Sequence, residues 1–272
     1  VDGLNIKLTI DYGVQQVAEA AVKEAYTVTG AKSVKCVVMD PSSGAIRAMA
    51  IAPSFDLNNV PRDDTESLLK LSRNTIVSDV YEPGSTFKIF TATADIAEFY
   101  KGNQKAFSTS KIFNSSRYRY IDGTRVKCWS DHKNGKHAAL NLEGALKNSC
   151  NPIFVDIACS LGKNTIYKYI NMFGFGETTG IDFTGEAHGM LMPESAVKNV
   201  DIARIGFGQS VAVTPIQLAA AVSSAVNGGY FFKPDFFSGG YSSGGKTGEI
   251  KNPTILRKTG GKKGSPNILC KA

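Results

Sequence analysis

No apolar run in this 272-residue sequence approaches the length of a membrane span, and no signal peptide opens it. It has no internal repeat, so solenoid and propeller architectures drop out. Strand and helix patterns do not alternate in βαβ fashion, which removes the doubly wound parallel sheet. No stripe of Lys and Arg interleaved with aromatic residues runs through it. The net charge of +7 therefore suits a cell-wall polymer or a membrane surface ahead of nucleic acid. Because the basic residues are spread along the chain, a plain soluble basic protein reads the same number equally well. Five cysteines are an odd number and cannot all pair within the chain. Only the Gly/Ser/Lys-rich last forty or so residues have a composition that argues against order.

What is present reads as one α+β domain, large enough at 42% hydrophobic to bury a sizeable core. The first residues form a strand. Residues 12–26 carry helical spacing, with Val14, Val17, Ala18, Ala21 and Val22 on one side. Two β-rich runs, 34–39 and 45–51, flank the turn cluster Asp40-Pro41-Ser42-Ser43-Gly44 and predict a hairpin. Residues 52–80 are polar and irregular, the pattern of a surface loop, and 100–137 are basic and aromatic, the composition of a separate small lobe. Between them, 85–99 are apolar on nearly every face, which predicts a helix buried at the centre of the domain. Helices are expected at 140–146, 152–161, 165–173 and 214–226, the last with Pro215 in its first turn.

Two segments carry chemistry. In Glu82-Pro83-Gly84-Ser85-Thr86-Phe87-Lys88, Pro83 and Gly84 end the preceding segment and place Ser85 at a helix N-terminus. Ser85 and Lys88, three apart, share one face of the first turn. A serine hydroxyl needs a base to become nucleophilic, and a lysine desolvated by an apolar helix can be that base. The bland reading is an N-cap serine followed by a snorkelling lysine, but a lysine on an all-apolar helix is costly to bury without a purpose. Asn148-Ser149-Cys150-Asn151-Pro152 breaks the helical pattern into a corner that displays a hydroxyl and an amide two residues apart. It reads as a proton donor beside a substrate-binding amide, or as a helix-capping turn.

A third cluster suits a metal. Cys128, His137 and Cys150 supply two thiolates and an imidazole, a zinc-preferring set that Asp131 or His132 completes. A Cys128–Cys150 disulfide or free thiols are the alternatives. Cys36, in an apolar strand, and Cys159, in an apolar helix, read as inert core residues.

S-x-x-K followed by S-x-N and K-[ST]-G is the signature of penicillin-binding proteins and serine β-lactamases. Ser85/Lys88, Ser149/Asn151 and a later Lys-Thr-Gly stand in that order. Residues 38–50, 81–88 and Gly206-Phe207-Gly208-Gln209 with Val213-Thr214-Pro215-Ile216-Gln217-Leu218 resemble, more closely, class B penicillin-binding transpeptidases. The resemblance covers about residues 3–234. It implies a penicillin-binding/serine β-lactamase-like fold, with a central antiparallel sheet flanked by helices beside an all-α lobe. The whole of 1–272 is then one transpeptidase domain, irregular after about 234, without the family's membrane anchor and pedestal. It also implies a D,D-transpeptidase that cross-links peptidoglycan stem peptides through a serine acyl-enzyme and is captured by β-lactams. Such a protein works on the extracytoplasmic face of the bacterial membrane.

Ser85, Lys88 and Ser149 become the catalytic set, and Asn151, Lys246, Thr247 and Gly248 the substrate-binding set, with Lys246 holding the substrate carboxylate. Lys258-Thr259-Gly260 is a second candidate for the third motif. The Cys-Trp pair, the His before the second motif and the Cys inside it are similar to a zinc-binding subset from Gram-positive anaerobes and spore formers. Some of that subset bind zinc there, and the resemblance implies a structural metal that pins the loop carrying Ser149 and Asn151. No convincing Glu-x-x-x-Asn segment supports the β-lactamase alternative, and a non-catalytic β-lactam sensor or cell-wall scaffold is the third reading.

Overall fold

The computed structural model describes residues 5–114, 116–132, 137, 139–241 and 253–258. Its first helix, α1 (Tyr12–Thr29), follows strand β1 (Asn5–Leu8). The Asp11 carboxylate caps α1 by accepting from the Val14 N–H, and Gly30 closes it in the left-handed conformation. Ala18 and Val22 pack on the hairpin formed by β2 (Val34–Met39) and β3 (Ile46–Ala52), whose inward positions include Ala48, Ala50 and Ala52. Small residues there let the helix approach the sheet closely. Val14, Val17 and Ala21, expected on the same side, are exposed. Val17 and Ala21 lie about 60–100° round the helix from Ala18, beyond the sheet's reach.

The antiparallel strands occur as pairs stitched together by backbone bonds. β1 pairs with β9 (Phe237–Tyr241), and β8 (Tyr230–Phe232) pairs with β10 (Ile255–Lys258). Asp235 joins two of these pairs: its N–H donates to the Gly44 carbonyl and its own carbonyl accepts from the Ile46 N–H. The Thr9 hydroxyl donates to the Ile46 and Asp235 carbonyls on the same seam.

Two expectations change. Residues 52–80 are not all irregular: α2 (Thr65–Leu71) and α3 (Thr75–Ser78) form there, capped by Asp64 and Asn74. Ile76 and Val77 are fully buried with Ile46, Ile181 and Ile216, so a run too short to show periodicity is held by tertiary burial. The described residues of 100–137 do not form a separate lobe. They follow the central helix α4 (Lys88–Tyr100) and contain a hairpin, β4 (Tyr118–Ile121) and β5 (Thr124–Lys127), turned by Asp122-Gly123 with both φ positive. Phe113, Val126 and Cys128 from this stretch join the main core.

The helical expectations hold in position: α5 (Leu142–Lys147), α6 (Asn151–Leu161) and α7 (Lys163–Met172). A short strand β6 (Met190–Leu191), helix α8 (Asn199–Ile205) and strand β7 (Val211–Ala212) precede α9 (Pro215–Val226), which Thr214 and Gln217 begin with a capping box. Around α4 the core is aromatic, with Phe90 centred 4.8 Å from Phe173 and 4.9 Å from Phe175. No helix among the described residues is long and apolar enough to cross a membrane.

One close contact fixes how the segment before α4 meets the rest. Gly208 has φ +85°, and a Cβ there would drive into the Gly84 carbonyl and the Phe87 side chain. Gly208→Ala is expected to destabilise the fold by about 3 kcal/mol or more, read as a lower urea-unfolding midpoint. An unchanged midpoint would show that the two segments are not packed in this way.

Candidate active site

Ser85 sits in a 3-10 turn, Gly84–Phe87, that runs directly into α4. Gly84 has φ +56°, which lets the chain enter this turn from Pro83. The turn is braced by the segment 206–213. The Gly84 N–H donates to the Gly208 carbonyl at 2.9 Å, Tyr81 and Val213 exchange two backbone bonds, and the Glu82 carboxylate accepts from the Ser210 N–H at 2.9 Å. One turn into α4, the Thr91 hydroxyl donates to the Gly206 carbonyl. The Gly-Phe-Gly-Gln stretch therefore works as a cradle for the serine turn.

Lys88 has no exposed surface. Its Nζ lies 2.8 Å from Ser85 Oγ, 2.8 Å from Ser149 Oγ, 2.7 Å from Asn151 Oδ1 and 3.3 Å from the Ser149 carbonyl. Ser149 Oγ in turn donates to Ser85 Oγ at 2.8 Å. Burial pulls the amine's pKa from the ordinary 10.5 down to about 8, against an opposing pull from the charge of Cys128 and Cys150. About a tenth of the amine is thus neutral at pH 7, and a neutral amine can accept the Ser85 proton while donating to Asn151 and Ser149. The expected convergence of Ser85, Lys88, Ser149 and Asn151 is what the structure contains.

The corner that carries Ser149 lies between α5 and α6, and Ser149 itself has φ +51°, a left-handed conformation unusual for a non-glycine residue. Cys150 occupies the N-cap of α6 without capping it through its side chain. Its thiol faces a cluster instead. Ligand atoms of Cys128, His132, His137 and Cys150 all lie within 4.8 Å of one another. Cys128 Sγ is 4.0 Å from His137 Nδ1, and Cys150 Sγ is 3.9 Å from His132 Nε2.

Metal bonds of about 2.0–2.3 Å in a tetrahedron place neighbouring ligands about 3.3–3.8 Å apart, so these four groups need only a small contraction to fit one ion. Of Asp131 and His132, the two residues expected to complete the set, His132 is the one that lies in the cluster. Asp131 is exposed and stands outside the cluster. His132 has φ +58°, a reversal of the chain that carries its imidazole inward while the preceding carboxylate faces outward.

The two thiols are free. The Cys150 thiol hydrogen-bonds to Cys128 and holds the Cys128 ionisation far below the ordinary thiol value, while the same contact pushes Cys150 up. Burial lowers His137, keeping it neutral and able to ligate.

Several residues that the motifs did not single out frame the site. Arg119 on β4 makes a two-pronged ion pair with Asp156 on α6, both contacts 2.6 Å, fastening the hairpin that leads to Cys128 onto the helix that follows Cys150. The Asn151 amide reaches the Lys127 carbonyl at 3.5 Å. The Trp129 indole N–H donates to the carbonyls of Asn148, at 3.2 Å, and Ser149, at 3.1 Å. The ion pair has no signal in sequence, since its partners stand 37 residues apart. Lys246, Thr247 and Gly248 lie outside the described residues, as do Thr259 and Gly260. Lys258 ends β10, its backbone paired with Tyr230. Cys36 and Cys159, expected in the core, are half-buried.

The sequence pattern of the penicillin binding protein transpeptidase domain matches residues 34–263. The chain is 41% identical over 233 residues to the stage V sporulation protein D of Bacillus subtilis, covering 86% of this chain and 34% of that protein. It is 31% identical over 225 residues to a probable peptidoglycan D,D-transpeptidase, PbpC, of Pseudomonas aeruginosa, covering 83% and 37%. It thus spans little more than a third of the length of these curated relatives. In fold, it superposes on penicillin binding protein 3 of Mycobacterium tuberculosis complexed with aztreonam with a TM-score of 0.83, at 24% identity, over 95% of this chain and 56% of that one.

Asn151 supplies the shortest of the contacts to the buried amine. Asn151→Ala is expected to lower stability by about 1–3 kcal/mol, because Lys88 loses its shortest hydrogen-bond acceptor. Thermal unfolding checks this, and a melting temperature equal to the wild type would remove Asn151 from the network.

Proposed function

The chain belongs to the penicillin-binding protein transpeptidase family, and on that premise we propose that it is a serine D,D-transpeptidase of peptidoglycan synthesis. The observation that carries this reading is the meeting of Ser85 Oγ, Ser149 Oγ and Asn151 Oδ1 on one fully buried amine. Ser85 Oγ attacks the carbonyl of a stem-peptide D-alanyl bond as its proton passes to Lys88 Nζ. The developing oxyanion lies at the N-terminal end of the 84–100 helical segment, where backbone dipoles favour negative charge. Collapse of the tetrahedral intermediate requires a proton on the leaving amine. Ser149 Oγ supplies it and is recharged from Lys88. The amine of a second stem peptide then reverses the sequence and releases the cross-linked product. A β-lactam enters by the same first step and remains as the acyl adduct. Asn151 hydrogen-bonds the substrate amide, and Lys246 with Thr247 and Gly248 holds its terminal carboxylate.

The Cys128, His132, His137 and Cys150 set would hold one zinc ion in a structural role, its two thiolates and two imidazoles suiting that metal. Zinc there cross-links the chain on either side of the second motif. The whole protein acts on the extracytoplasmic face of the membrane through an anchor outside these residues. The similarity to a sporulation protein favours a sporulation or elongation setting.

A fluorescent penicillin is expected to label Ser85 stably, and Ser85→Ala to lose the label. With Lys88 as the base, only its neutral form accepts the proton. The acylation rate should therefore rise about tenfold per pH unit below about 8 and level off above it. A rate that is flat from pH 6 to 9 would remove Lys88 from that role. Elemental analysis of protein purified without chelator should find one zinc per chain, lost in Cys128→Ser. Zinc-free protein with a Cys128–Cys150 disulfide would refute the metal.

A further inference from the structure

We infer that Trp129 is a positioning residue for the proposed acylation: its indole N–H, shared between two carbonyls, holds the corner that aims Ser149 Oγ at Ser85. The inference rests on reading Ser85 as the nucleophile. Burial does not account for where the ring sits, since Trp129 is 67% exposed. Its polar handle does account for it, lying 3.2 Å from the Asn148 carbonyl and 3.1 Å from that of Ser149.

The corner needs such a brace. A left-handed backbone at a serine is disfavoured, and left to itself Ser149 would relax to negative φ and swing its hydroxyl away from Ser85. The Ser149 carbonyl has two lone pairs. One faces Lys88 Nζ at 3.3 Å, and the indole takes the other. Both ends of the brace adjoin cysteines of the Cys/His cluster: Trp129 follows Cys128 and Ser149 precedes Cys150. An edge-to-face contact with His137, 6.1 Å between centroids, fixes the plane of the indole.

The geometry separates a donor from a mere ring. Trp129→Phe keeps an aromatic side chain and removes only the N–H. It is expected to slow the first-order acylation step by fluorescent penicillin about tenfold, with the dissociation constant of the preceding non-covalent complex nearly unchanged. Because Trp129 is the only tryptophan in the chain, growth on 5-fluorotryptophan alters this one side chain and preserves its N–H, so that protein should acylate at the wild-type rate. A Phe variant as fast as the wild type overturns the inference, as does a fluorinated protein as slow as the Phe variant.

A second measurement needs neither the variant nor catalysis. With 15N-tryptophan the unmodified protein has a single indole N–H resonance, and its exchange with water should be well protected despite the exposed ring. Exchange at the rate of free tryptophan sinks the inference. Should the wild type take no penicillin on Ser85, the functional reading fails, and indole exchange alone then decides whether the brace exists.

Discussion

A lysine side chain with no exposed surface sets the terms for this site. Charging an amine away from water is unfavourable enough that its proton affinity falls instead, and a buried amine of either charge still demands hydrogen-bonding partners. Helix α4 creates the demand, because its faces carry Phe90, Ala92, Ala94 and Ile96 into the core and leave Lys88 no path to solvent. The demand is met by three side-chain oxygens and one carbonyl, two of those side chains and the carbonyl arriving from the corner at 149–151. The serine–lysine turn and the serine–asparagine corner are therefore one network. Neither is satisfied without the other.

The corner is the weaker partner in conformational terms. Ser149 holds a left-handed backbone, and the helix that follows starts at a cysteine whose thiol caps nothing. Its support comes from outside, chiefly from the β4–β5 hairpin and the residues just after it. Arg119 ties that hairpin to α6, the Lys127 carbonyl meets the Asn151 amide, Trp129 spans the corner's carbonyls, and the Cys/His cluster gathers Cys128 and Cys150 side by side. The serine turn is held independently by the Gly206–Gln209 stretch and by the Tyr81–Val213 bridge. Two separate braces thus bring the two halves of the network to hydrogen-bonding distance.

Legibility from sequence followed the range of the interaction. Ser85 with Lys88 and Ser149 with Asn151 are local pairs, and a helical turn or a tight corner fixes such neighbours whatever surrounds them. Pro215 in the first turn of α9 was readable for the same reason. Residues 52–80 misled because Ile76 and Val77 make too short an apolar run to show a period, although Asp64 and Asn74 stood in place as caps. In 100–137 the basic and aromatic composition masked the Asp122-Gly123 turn, the one local sign of a hairpin. Asp131 and His132 are adjacent and both can ligate, so only the fold shows that His132 lies with the two cysteines.

By itself the sequence determined the order of the first two motifs, the largely apolar helix that must bury a lysine, and the two thiols and imidazoles that suit a metal. Those follow from residue types and spacings of a few positions, where chain stereochemistry leaves little freedom. Only the tertiary structure decided that the corner at 149–151 reaches an amine more than sixty residues earlier in the chain, that His132 rather than Asp131 faces Cys150, and that an exposed tryptophan spans the corner. Contacts across such separations have no local constraint. They exist because many buried side chains, packed together, leave the backbone one arrangement.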